Sequence, residues 1–194
     1  MKDIFTLTKE ARSVRVFNGE RNITEDELCR IVDCARIAPS AGNLQVLRYK
    51  LCFDHETVSA LMPMTRWAGY LPEAKLPPAG HEPTAFIVIC NDGRKSSVGA
   101  FTNVDVGIAA QSINLAAREA GLAVCMIGSF DRDGVKDLLK LDENCEILLM
   151  MAIGEPAESP AITELPDDGN IKYYRDSNGG HFVPKRPLEE ILIR

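Results

Sequence analysis

Residues 84–90, TAFIVIC, carry six apolar side chains in seven positions. A strand with so little that tolerates water reads as central in a sheet, not as an edge. VLRYKLCF (46–53) alternates instead, with Leu47, Tyr49, Leu51 and Phe53 on one side and Arg48 and Lys50 on the other. That is the pattern of a strand with one covered face. A third strand is expected at 146–154, EILLMMAIG. Between the strands lie helical patterns. Residues 3–11 suit a short helix and 24–38, TEDELCRIVDCARIA, a strong one. There Thr24 and Glu27 make a capping box, Leu28, Ile31, Val32 and Ala35 share a face, and Pro39 marks the stop.

The longest predicted helix, 103–121, carries the small residues Gly107, Ala109, Ala110, Ala116 and Ala117, and Gly121 suits its C-terminal cap. NDGRKSS (91–97) reads as a loop, and LAVCMIGS (122–129) as a short apolar stretch leading to a helix at 131–140. After Gly154, EPAESPAITELPDDGN is acidic and proline-rich and is expected to lack regular structure. The closing YYRDSNGGHFVPKRPLEEILIR has aromatic, basic and apolar residues that a disordered tail would not need. Strands this few and this unevenly spaced argue for an α+β class over a doubly wound sheet. A single domain over 1–194 is expected, with the extension 155–194 wrapping a second subunit.

The 194 residues, 45% hydrophobic and 26% charged, suffice for one sizeable core. A formal net charge of -6 argues against nucleic acid or an anionic membrane as partner and leaves room only for a local basic pocket. No window approaches the ~20 apolar residues of a membrane span, and MKDIFTLTKEARS lacks the apolar core of a signal peptide, so a cytoplasmic protein is expected. Cys29, Cys34, Cys52, Cys90, Cys125 and Cys145 sit in hydrophobic runs without a CxxC or Cys/His cluster. They read as small buried hydrophobes in a reducing compartment, and His55, His81 and His181 have no metal-binding spacing.

The common catalytic and phosphate-binding motifs are absent: GxGxxG after a strand, GxxxxGK[ST], GxSxG and HExxH. What remains are clusters at element boundaries, RSVR (12–15), PSAGNLQ (39–45), IGSFD (127–131) and PKR (184–186). Arg12, Arg15, Lys185 and Arg186 offer charge-assisted donors for a phosphate. Asn43 and Gln45 offer the paired donor and acceptor that suit a heterocycle edge, and Gly128 and Ser129 can present backbone N–H groups. Together these make the chemistry of an anionic cofactor site; each alone is equally a solvated helix end, a turn or a solvated tail.

In their order along the chain, ARSVRVF, APSAGNLQVLRY, DVGIAAQSINLAAREAGLAVCMIGSFD, AIGEPAE and VPKRPLEEI resemble the nitroreductase family of FMN-dependent oxidoreductases. They run from about residue 11 to residue 190. The resemblance implies an intertwined α+β homodimer, its central mixed or antiparallel sheet flanked by helices, with one FMN in each of two interfacial clefts. It assigns Arg12, Ser13 and Arg15 to the phosphate and the polar edge of the flavin, with Lys185 and Arg186 closing on the phosphate. Pro39, Ser40, Ala41, Asn43 and Gln45 would line the flavin, partly from the partner subunit. Gly128 and Ser129 would bring N–H groups near flavin N5.

The chain departs from the family pattern at Ala11, where many relatives have Arg, and at Val46 and Leu47, which replace a Pro-aromatic pair. Residues 62–83 are where the family varies most; Trp67 and Tyr70 there serve as a lid over the flavin or pack against the domain. The implied reaction passes hydride from NADH or NADPH to FMN and then to a nitroaromatic, quinone or similar electron-poor small molecule, by a ping-pong mechanism. No catalytic side chain is identified. The alternatives are a flavin-binding carrier or sensor without turnover, or a specialised family reaction such as dehalogenation, dehydrogenation or flavin degradation.

Overall fold

The computed structural model describes residues 3–93, 99 and 101–194, so residues 94–97 of the expected loop lie outside the described residues. At the N-terminus, α1 (Ile4–Glu10) is capped by Asp3, whose carboxylate accepts the Phe5 and Thr6 N–H groups. The capping box of α2 (Glu25–Arg36) is present as expected, with Thr24 and Glu27 satisfying each other's backbone N–H. This helix ends at Arg36, ahead of Pro39. The residue before a proline is biased out of the helical region, so the turn closes early.

The main sheet is antiparallel throughout. Its order is β1 (Phe17–Asn18), β5 (Ile147–Pro156), β3 (Ala85–Asn91), β2 (Leu47–Cys52), and β4 (Ala123–Ile127) also pairs with β5. Every residue of β3 is buried. Its period-2 alternation explains why. Ala85, Ile87 and Ile89 face a core completed by Leu28 and Ile31 of α2 and by Ala109, Ala110 and Ile113 of α4 (Thr102–Glu119). Phe86, Val88 and Cys90 face the opposite core, with Val58 and Leu61 of α3 (His55–Leu61) and Val135 of α5 (Arg132–Leu138). The sheet is thus a middle layer between two helical layers. At the edge, β1 approaches β5 so closely that a Cβ on Gly154 would lie 2.7 Å from Phe17 Cδ1, which makes glycine necessary there.

Three expectations are corrected. The apolar stretch 122–129 contains a strand, β4, because it completes the ladder on the free side of β5. The proline-rich segment after Gly154 is also partly regular. Its β6 (Ala161–Glu164) pairs in parallel with β8 (His181–Lys185), which pairs antiparallel with β7 (Tyr174–Arg175). Local composition does not encode a ladder whose partner lies twenty residues away. The short α6 (Leu188–Ile191) follows. Among the cysteines, Cys52, Cys90 and Cys125 are buried, but Cys29 and Cys34 are exposed on the outer face of α2. No described helix is long and apolar enough to cross a membrane.

Candidate functional site

Residues 11–15 leave α1 and run beside β4, where Val14 N–H donates to Val124 C=O at 3.1 Å and Ser13 bridges Val124. This backbone pairing fixes the direction of the basic side chains on either side of Val14. A cleft of about 280 Å³ opens there, lined by Arg12, Ser13 and Arg15, by Gln111 and Asn114 of α4, by Val124 and Met126 of β4, and by Tyr173, His181, Val183 and Lys185 of the tail. Residues from the two ends of the sequence therefore meet in it.

The cleft is cationic and incompletely paired. Arg12 donates through Nη2 to Thr8 C=O at 2.8 Å, while its Nε is buried without a partner. Burial pushes the Arg12 guanidinium pKa down from its ordinary value. Arg15 is only 8% exposed, its guanidinium carbon sits 4.5 Å from the Tyr173 ring centre, and its Nε too is buried without a partner. Buried polar groups are nearly always satisfied, so two orphaned guanidinium donors on one cleft mark a place built for an acceptor. Beneath them, burial raises the Cys125 thiol to about 11 against the opposing pull of Arg15, so it is no thiolate nucleophile near neutrality.

Glu158 ties the tail to this cleft. Its Oε1 accepts the Arg15 backbone N–H at 2.5 Å, its Oε2 accepts from Arg175 Nη2, and His181 Nδ1 lies 3.7 Å away. Burial works to raise its pKa, but His181, the Arg15 N–H and Arg175 outweigh burial and hold it below the usual carboxylate range. Tyr173 packs at a tilt against His181, with ring centres 5.6 Å apart, and against Tyr70 at 5.1 Å. None of Glu158, Tyr173, Arg175 and His181 was singled out from the sequence. The only local signal was the density of aromatic and basic residues in the tail.

Pro39, Ser40 and Gln45 line a second, smaller cleft of about 120 Å³, with Val46, Leu47, Tyr49, Asp105 and Ile108. Its loop makes one 3-10 turn, Ala41–Asn43, and places Gly42, Asn43 and Gln45 at φ of 54°, 54° and 50°. Asn tolerates this left-handed region better than most residues, but Gln does not. Buried Asp105 holds the turn by accepting the Ala41 N–H at 2.9 Å, and Ser40 Oγ is buried without a partner. The two clefts share α4 as a wall but have no lining residue in common.

The other expected residues lie apart. Gly128 and Ser129 are exposed between β4 and α5, and Ser129 C=O accepts the Arg66 N–H at 2.9 Å. Lys185 lines both the cationic cleft and a groove beside α6, whereas Arg186 lines only the groove and faces Glu190 Oε2 at 3.5 Å. Trp67 is half-buried, donates through Nε1 to Thr65 Oγ1 at 2.7 Å and packs on the core, whereas Tyr70 is exposed and leans on Tyr173.

A family model described as the nitroreductase family matches residues 8–155. A relative from Archaeoglobus fulgidus, named for an NADH dehydrogenase/NAD(P)H nitroreductase, is 27% identical and covers 88% of this chain and 95% of its own. The structure titled NADPH:FMN oxidoreductase from Vibrio harveyi complexed with NAD+ is 27% identical, has a TM-score of 0.64, and covers 84% of this chain and 74% of its own. A nitroreductase family protein from Clostridium difficile 630 shares the fold nearly end to end, with a TM-score of 0.69 at 21% identity and coverage of 99% and 98%. The chain belongs to the nitroreductase family.

Proposed function

We propose that this protein is an FMN-dependent oxidoreductase that draws electrons from NADH or NADPH and reduces nitroaromatic, quinone or similar electron-poor acceptors. The observation that carries the reading is the pair of buried, unpartnered guanidinium donors, Arg12 Nε and Arg15 Nε, in the cleft that also holds Lys185. That donor set fits the phosphate and polar edge of FMN. When bound, FMN supplies two-electron hydride exchange, in one half-reaction with the pyridine nucleotide and in a second with the acceptor.

The chain's own contribution is binding and orientation. Arg12, Ser13, Arg15 and Lys185 hold the anionic cofactor, and the positive charge they concentrate favours the added electrons. Pro39, Ser40, Ala41, Asn43 and Gln45 complete the flavin site of a partner subunit in a homodimer. Support for this division comes from the disjoint linings of the two clefts and from the apolar side chains left exposed around the loop, Ile37, Leu44, Phe101 and Val104. Gly128 and Ser129 line neither cleft in the single chain, but they follow the cleft residue Met126 at the end of β4, and from there their backbone N–H groups would serve flavin N5. Tyr70 and Tyr173 shape the acceptor's entrance. The six free cysteines fit a reducing, cytoplasmic setting.

Purified protein is expected to be yellow, with flavin released by heat identified as FMN, and to be bleached by NADH or NADPH without oxygen. Colour restored stoichiometrically by a quinone completes the cycle. Flavin that neither nucleotide bleaches would replace this reading with a carrier or a specialised family reaction.

A further inference from the structure

Resting on the FMN reading, we infer that His181 is a positioning residue that aims the Arg15 guanidinium into the cationic cleft, with Glu158 setting the tautomer of its ring. Among the described residues no carboxylate forms an ion pair with the Arg15 guanidinium. Glu158, the nearby acid, spends its oxygens on the Arg15 backbone N–H and on Arg175. What meets the Arg15 side chain is not a carboxylate: it is the Tyr173 face at 4.5 Å and, at Nη1, His181 Nε2 at 3.5 Å. The cation is held in place while its charge stays available to a ligand.

The chemistry of the imidazole fixes the roles. Arg15 has only donors, so Nε2 must accept, which leaves the ring proton on Nδ1. Nδ1 is buried without a hydrogen-bond partner and faces Glu158 Oε2 at 3.7 Å, so the carboxylate favours this tautomer through its charge and not through a hydrogen bond. His181 is 3% exposed and sits at the start of β8, opposite Arg175 of β7. The ring is thereby fixed by a strand pair, not by a free loop. The order Glu158, His181, Arg15 passes orientation from the tail to the residue that touches the cofactor. Arg175 balances the charge of Glu158 from the far side.

The test is FMN titration of flavin-stripped protein, read by quenching of flavin fluorescence, on the wild type, H181F, H181Q, R15Q and R15Q/H181F. Phe keeps the ring volume without an acceptor, and Gln returns an acceptor oxygen near the position of Nε2. H181F is expected to lose about tenfold in affinity, the scale of one hydrogen bond to a charged group. H181Q is expected to recover most of that loss, and H181F is expected to add nothing in the R15Q background. Losses that add, no loss in H181F, or equal losses in H181F and H181Q each overturn the inference. If H181F does not fold, the wild type still decides. Ring nitrogen NMR is expected to show His181 protonated at Nδ1 and bare at Nε2, and the opposite tautomer overturns it. A wild type that binds no FMN refutes the cofactor reading itself, and the inference falls with it; binding with additive losses refutes the inference alone.

Discussion

Lys185→Ala is expected to weaken FMN binding by about 10- to 150-fold, while Arg186→Ala leaves it within about twofold. A charge-assisted hydrogen bond contributes about 1.5–3 kcal/mol, and each 1.4 kcal/mol is about a factor of ten. Lys185 earns the large effect by its place at the end of β8 on the wall of the cationic cleft. Arg186 follows the strand end and lines only the groove beside α6, which Lys185 shares. Its side chain is 58% exposed and has Glu190 as its neighbour, an i,i+4 pair of the kind that contributes little. Fluorescence titration of the two single variants separates them. Equal losses would mean that the dipeptide acts as a unit and that the groove beside α6 belongs to the cofactor site.

Phe86→Ala is expected to destabilise the fold by about 3–5 kcal/mol, a large part of the 5–15 kcal/mol that holds a typical domain together. Phe86 is fully buried near the start of the central strand, flanked across the sheet by Cys52 of β2 and Ala152 of β5. Both neighbours are small, so neither can fill the space left by the ring. The core on this side is closed by α3 and α5, two helices of seven residues each. Urea unfolding should show a lower midpoint with an unchanged slope, the signature of lost stability without a change in the surface exposed. A shift below about 1.5 kcal/mol would mean that these short helices collapse into the cavity.

How much of this could be read from the sequence follows from where the information lies. TAFIVIC announced β3 because both of its faces are buried, and the capping box announced α2 because its signal is contained in four residues. β4 escaped because five apolar residues have no periodicity that separates a strand from a connector; only the free edge of β5 makes it one. β6 escaped because proline and acid around it argue for a loop, and tertiary pairing with β8 overrides that local preference. At the site, the basic clusters showed their chemistry, and Arg12, Arg15 and Lys185 do converge. That Arg186 lines only the groove beside α6 depends on where the tail turns after β8, and that Glu158 reaches Arg15 depends on a contact across 143 residues. The polar excess of APSAGNLQ was visible as composition. Its left-handed backbone at Asn43 and Gln45 was not, because Gln gives no warning of a positive φ.

Binding residues divided between two clefts of one chain leave a genetic signature when two chains share a site. On the proposed shared site, a chain crippled at Lys185 and another crippled at Gln45 are each expected to fail alone as homodimers. Paired with each other, they concentrate both lesions in one of the two shared sites and leave the other intact. Co-expressed alleles of these two kinds are therefore expected to complement, and two alleles of the same kind to remain silent.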